Sequence, residues 1–163
     1  MEPEQKRRWV NLNAFIARLS QAADIQYTSS NEPPKIHPMD KSLEAIWVMS
    51  IMFEEKRPLK ILINTAVMQA VCVWLIYAAD RLWAHVQNGY TFSEDCNPGP
   101  GTKYKRRGWK GLYRRRVWKG FARERWDVWE RGLQEAKTIC TDEEMKKLIE
   151  DALTCMKRAM TDQ

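Results

Sequence analysis

Apolar positions in "WVNLNAFIARLSQAADI" recur at helical spacing: Leu12, Phe15, Ile16, Leu19, Ala22 and Ala23 share one stripe, with Asn13 and Arg18 off it. Paired prolines and polar residues in "TSSNEPPKIHP" end that helix. Asp40 is the expected N-cap of "KSLEAIWVMSIMFEEK", whose apolar residues lie almost all round; a buried helix ending in Glu54, Glu55 and Lys56 is predicted. Pro58 separates it from the longest apolar run, "LKILINTAVMQAVCVWLIYAADRLWAHV". Ile61 to Ala79 is long enough to span a bilayer. Asn64, Thr65 and Gln69 would each be costly against lipid, and Asp80, Arg81 and His85 continue the run amphipathically, so a central helix of a soluble bundle is favoured.

"NGYTFSEDCNPGPGT" reads as a loop, and the helical pattern returns at Phe121, with Ala122, Trp126, Trp129, Leu133 and Ala136 on one face. Thr141 to Glu144 has the form of a capping box. The helix behind it carries the stripe Leu148, Ala152, Cys155 and Ala159, with Met145 and Met156 beside it. No glycine precedes Gly89, which strengthens the helical reading of the first half. The expected fold is all-α: a single domain over residues 1–163, a bundle of about five helices with one long Gly/Pro loop and a basic segment within 88–120.

Charge changes this picture at one place. From Lys103 to Trp126 the chain has 11 Lys and Arg and one acid, Glu124, a net +10; the whole chain is +6, which leaves −4 for the remainder. The molecule is therefore mildly acidic with one concentrated positive stretch. The segment from Lys103 to Arg125 is expected to present this charge to an acidic protein or nucleic acid, with Arg106, Arg107, Lys110, Arg114, Arg115 and Arg116 supplying charge and Trp109 and Tyr113 flat contacts. Trp118 and Phe121 read as anchors, and Trp126 and Trp129 as core. The plain alternative is a solvated loop and helix entry whose arginines pair with the acidic remainder. A membrane surface is a weaker partner, and a homodimer is a further one.

Eight tryptophans in 163 residues call for a large core and for partners to their indole N–H groups. The four cysteines, Cys72, Cys96, Cys140 and Cys155, form no CxxC pair, and "MEPEQKRRWV" has no signal-peptide core. Together these point to free thiols in an intracellular setting, cytoplasmic or nuclear.

Four segments in order, "RRWVNLNAFIARL", "AIWVMSIMFEE", "AVCVWLIYAADRLW" and "WKGFARERWDVWERGL", resemble the fungal helical family known as domain of unknown function thirty-six thirty-two. The resemblance covers nearly the whole chain and implies an all-helical fold and a fungal source, but no activity. It also implies that this chain corresponds to the later part of the family's domain. "YKRRGWKGLYRRR" is more basic than the family's pattern at that place.

Catalytic constellations are not legible. His37 with Asp40 is a conceivable base and orienter, outweighed by a loop histidine ahead of a helix cap. Cys96 has no neighbouring base to activate it. No metal-ligand spacing occurs, and "PGPGTKYK" lacks the phosphate-loop pattern, its prolines removing N–H donors. No catalytic residue, cofactor or metal is expected, and the leading reading is a non-enzymatic binding or scaffold protein. A second reading is an accessory enzyme or small-molecule binder of fungal specialised metabolism. Its pocket would use Asn13, Arg18, Trp74 and Tyr77, with Trp47 and Trp83 among the walls and Asn64 or Gln69 as further polar groups.

Overall fold

The computed structural model describes residues 1–27, 35–92, 96, 98–104 and 118–162. It is all-helical: α1 (Pro3–Ala22), α2 (Ser42–Phe53), the single turn α3 (Leu59–Leu62), α4 (Ala66–Gln87), α5 (Arg123–Ile139) and α6 (Glu143–Thr161), with no strand among the described residues. The short α3 accounts for the difference from five helices.

α4 is the central element, packed against α1, α6, α2 and α5. Its length and apolar composition would suffice to cross a membrane. Here Met68, Val71, Trp74, Leu75, Leu82 and Val86 are covered by neighbouring helices, and that packing accounts for the apolar run. α4 departs from helical geometry at Ala78 (φ −138°, ψ 16°). The Gln21 side chain fills the gap in the hydrogen-bond ladder: its Oε1 accepts the Arg81 N–H at 3.1 Å. Arg81 in turn donates to Ser20 O (3.2 Å) and Ala23 O, closing the exposed carbonyl end of α1.

The stripe expected for α1 is inward only in part, at Ile16, which packs against the core, and at the buried Ala23. Leu12 and Phe15 are 55% and 62% exposed, whereas Asn13, Ala17 and Ser20 face the core. Two forces select this face. Small Ala17 and Ser20 let the α1 backbone come close to α4, and Asn13 Oδ1 accepts the buried Trp74 indole N–H at 2.9 Å. Turning Leu12 inward would strand that N–H.

Two caps also differ from expectation. α2 starts at Ser42 behind Lys41, so Asp40 lies one residue too early to be the N-cap; its Oδ1 still accepts the Ser42 N–H at 3.0 Å. α6 is capped by Asp142, which accepts the Met145 N–H at 2.7 Å. With Met145 at the third helical position, the reciprocal acidic arm of a capping box is missing. The buried face of α6 is Met145, Ile149, Ala152, Leu153, Met156 and Ala159, rotated slightly from the expected stripe.

Candidate functional site

Arg106, Arg107, Trp109, Lys110, Tyr113, Arg114, Arg115 and Arg116 all lie outside the described residues. Their frame does not. The rings of Tyr104 and Trp118, which flank residues 105–117, meet with centroids 5.0 Å apart, so the two flanks of the stretch come together at one place. Lys103, Lys119 and Arg123 are exposed at this root.

Arg125 belongs to the same stretch by sequence and not by structure. Its side chain is fully buried against Glu54, with Nε 2.9 Å from Oε1 and Nη2 donating to Oε2 at 3.2 Å. Nη1 donates to Pro98 O (3.0 Å) and Gly120 O (2.6 Å), and Nη2 to Gly99 O (2.5 Å). The Pro/Gly loop is thus a ring of carbonyls for a guanidinium, the reverse of a phosphate loop. Glu54 also accepts from Trp129 Nε1 (2.9 Å), Gly101 N (3.0 Å) and Ser50 Oγ (3.3 Å). Gly101 has no room for a side chain: a Cβ there would stand 2.5 Å from Glu54 O. Gly120 holds φ +58°, which glycine adopts without strain. Such a pair holds together because nearly every polar atom around it has a partner. It also fastens the root of the basic stretch to α2 and α5. Phe121 and Trp129 complete the anchor, both buried, as is Trp126.

The four residues expected to line a pocket are brought together in two pairs. Asn13 holds the Trp74 indole in the core, its Nδ2 donating to Trp9 O at 3.0 Å. The Arg18 guanidinium lies over the Tyr77 ring, 4.1 Å from its centroid. Trp47 is 48% exposed, and Trp83 is buried against Trp126, their centroids 5.2 Å apart. The indole N–H groups of Trp83 and Trp126 find no acceptor among the described residues, unlike those of Trp74 and Trp129.

A buried knot that sequence spacing concealed is centred on His85. Its Nε2 lies 3.1 Å from Asp40 Oδ2 and its Nδ1 2.7 Å from the Tyr27 hydroxyl, while Arg81 donates to that hydroxyl at 3.3 Å. Because the Asp40 carboxylate only accepts, Nε2 carries the proton and Nδ1 accepts from Tyr27. Asp40 therefore pairs with His85 and not with His37, whose Nδ1 accepts the Met39 N–H at 3.1 Å in a local turn. Burial pushes the His85 pKa down, more than Asp40 lifts it. Burial would raise Asp40, but hydrogen bonds from His85 and Ser42 hold it below the usual carboxylate range. Burial raises Tyr27 and pushes Tyr90, stacked on His85 with centroids 4.1 Å apart, up to about 12. At neutral pH the knot is a neutral imidazole between a carboxylate and a protonated phenol. The His85 and Asp40 side chains have no exposed surface, so the knot is built to pin the 23–27 and 37–40 segments onto α4.

A cleft of about 390 Å³ opens beside the root of the basic stretch. Met52, Phe53 and Val128 form its buried floor, and Leu59 and Tyr104 its half-buried walls. Arg57, Lys103 and Arg131 stand exposed at its mouth with Glu55 and Glu135. α5 approaches α2 closely here because residue 132 is glycine: a Cβ would lie 2.3 Å from the Phe53 ring. Among the described residues, no three His, Cys, Asp or Glu side chains group to hold a metal ion.

No curated protein and no solved structure matches the chain. A family model does, from residue 1 to residue 133, which takes in α1 to α4 and most of α5 and leaves α6 beyond the match. The matched region includes both buried knots and the basic stretch, and by it the chain belongs to the family described as "Protein of unknown function (DUF3632)".

Proposed function

We propose that this chain is a non-enzymatic, intracellular binding or scaffold protein that captures an acidic partner on the stretch from Lys103 to Arg123. The observation that carries the reading is the charge partition: residues 105–117 hold seven Lys and Arg and no acid, on a chain whose remainder beyond the stretch is net negative. The meeting of Tyr104 with Trp118 and the Glu54–Arg125 anchor support it, since they fix both ends of that charge on a packed scaffold. Arg125 neutralises Glu54 and adds nothing to the surface.

Binding of a labelled polyglutamate peptide and a single-stranded oligonucleotide to Arg114→Glu/Arg115→Glu/Arg116→Glu tests this. The triple variant keeps its helical circular dichroism and loses binding to either probe. Preference for the oligonucleotide would favour nucleic acid as the partner, with Trp109 and Tyr113 as stacking surfaces. Binding unchanged by the three reversals would sink the proposal.

A further inference from the structure

We infer that the cleft between α2, α3 and α5 is a binding site for a small amphiphilic anion, an apolar or aromatic body carrying one carboxylate, sulfonate or phosphate. The inference does not depend on the acidic-partner reading: the two share Lys103, but the cleft uses none of the arginines of 106–116.

The cleft presents more polar than apolar surface, over a base of Met52, Phe53 and Val128 that are 2%, 5% and 4% exposed, with half-buried Leu59 and Tyr104 as its apolar walls. Its mouth brings three cations from three different segments to one opening: Arg57 from the α2–α3 turn, Lys103 from the loop after Gly101, and Arg131 from α5. None of the three has a carboxylate within ion-pair distance among the described residues, although Glu55 and Glu135 share the opening. Glu55 is engaged elsewhere, accepting the Thr102 hydroxyl at 2.5 Å. The opening thus carries three cations and two carboxylates, a net +1, and Lys103 Nζ lies 5.7 Å from the Tyr104 ring centroid. Glu135 stands one turn from Arg131 on α5 without pairing with it, and Arg131 Nε donates instead to Asp127 O at 3.4 Å.

The volume lies at the low end of ligand pockets, which span roughly 300–1,000 Å³. The site therefore suits a small molecule and not a folded partner. Two arginines at a common opening also suit the paired oxygens of a carboxylate, sulfonate or phosphate, each of which accepts charge-assisted hydrogen bonds.

Anilinonaphthalene sulfonate is the probe: one aromatic body, one anion, and a fluorescence gain on entering an apolar site. The full chain should bind it saturably at one site, more weakly as salt rises. Arg57→Ala/Arg131→Ala changes only exposed side chains and should weaken binding by about tenfold or more, as expected from losing charge-assisted contacts. Leu59→Trp, which adds bulk to the cleft wall, should abolish it with helical content intact. The triple reversal at Arg114 to Arg116 should leave dye binding unchanged while removing the polyglutamate signal, so the two proposals can fail separately. Absence of saturable binding would overturn the assignment. So would an unchanged affinity in the double variant, which would place the dye on exposed side chains such as Phe15 or Trp47.

Discussion

Replacing Arg125 with methionine is the sharpest perturbation the fold offers. The substitution keeps much of the side-chain volume and removes the guanidinium from a site with no exposed surface. Glu54 keeps three donors, from Ser50, Gly101 and Trp129, but loses its counter-charge, and the carbonyls of Pro98, Gly99 and Gly120 lose a shared donor. Removing one partner of a buried pair costs about 3–5 kcal/mol. A domain is typically stable by about 5–15 kcal/mol, so this is a large fraction of the whole. At about 2–4 °C per kcal/mol for a chain of this size, the melting temperature should fall by roughly 6–20 °C. Urea denaturation followed by far-UV circular dichroism measures the loss directly. Glu54→Met/Arg125→Met should cost clearly less than the two single changes added together, because neither charge is then left unpaired. A loss below about 1 kcal/mol for Arg125→Met, with an unchanged urea slope, would refute the view that this pair anchors the loop.

Three further outcomes follow from the same packing. The folded state holds His85 neutral with a lowered pKa, while the unfolded chain protonates histidine near 6.5; stability from this site is therefore full above that pH and declines as pH falls below it. Urea midpoints between about pH 5 and 7 should show the decline, and His85→Leu should flatten it. The depressed Asp40 acts lower, its contribution present above about 3.9 and lost as acid titrates the carboxylate through its folded pKa, readable from acid unfolding of Asp40→Asn against the parent. Asn13→Ala should cost about 1–3 kcal/mol by stranding the Trp74 indole N–H, measured by chemical denaturation, whereas Leu12→Ala at an exposed position should stay within about 0.5 kcal/mol.

Period and punctuation carried the helices. Apolar spacing located α1, α2, α4, α5 and α6, and the prolines and glycines marked the breaks, because both report local backbone physics. The buried face of α1 was not legible, since a stripe count ranks Leu12 and Phe15 above Asn13. The deciding contact comes from Trp74, 61 residues away. The knots failed to show for the same reason: Asp40 and Tyr27 lie 45 and 58 residues from His85, and Glu54 lies 71 from Arg125. One signal was available for the second knot. Glu54 directly follows a helix apolar almost all round, a position from which a charge is drawn inside and must find a cation. The cleft depends on Gly132 admitting the Phe53 ring, a fit between two helices that no single-segment pattern encodes.

The most direct test of the central claim is the salt dependence of polyanion binding by the intact chain. If the stretch from Lys103 to Arg123 grips through six or more charges, affinity for the single-stranded oligonucleotide or the polyglutamate peptide should be tight at about 50 mM salt. For the nucleic acid it should fall on the order of a thousandfold by about 200 mM. Weak binding of both probes already at low salt would contradict the account and return the stretch to a solvated helix entry.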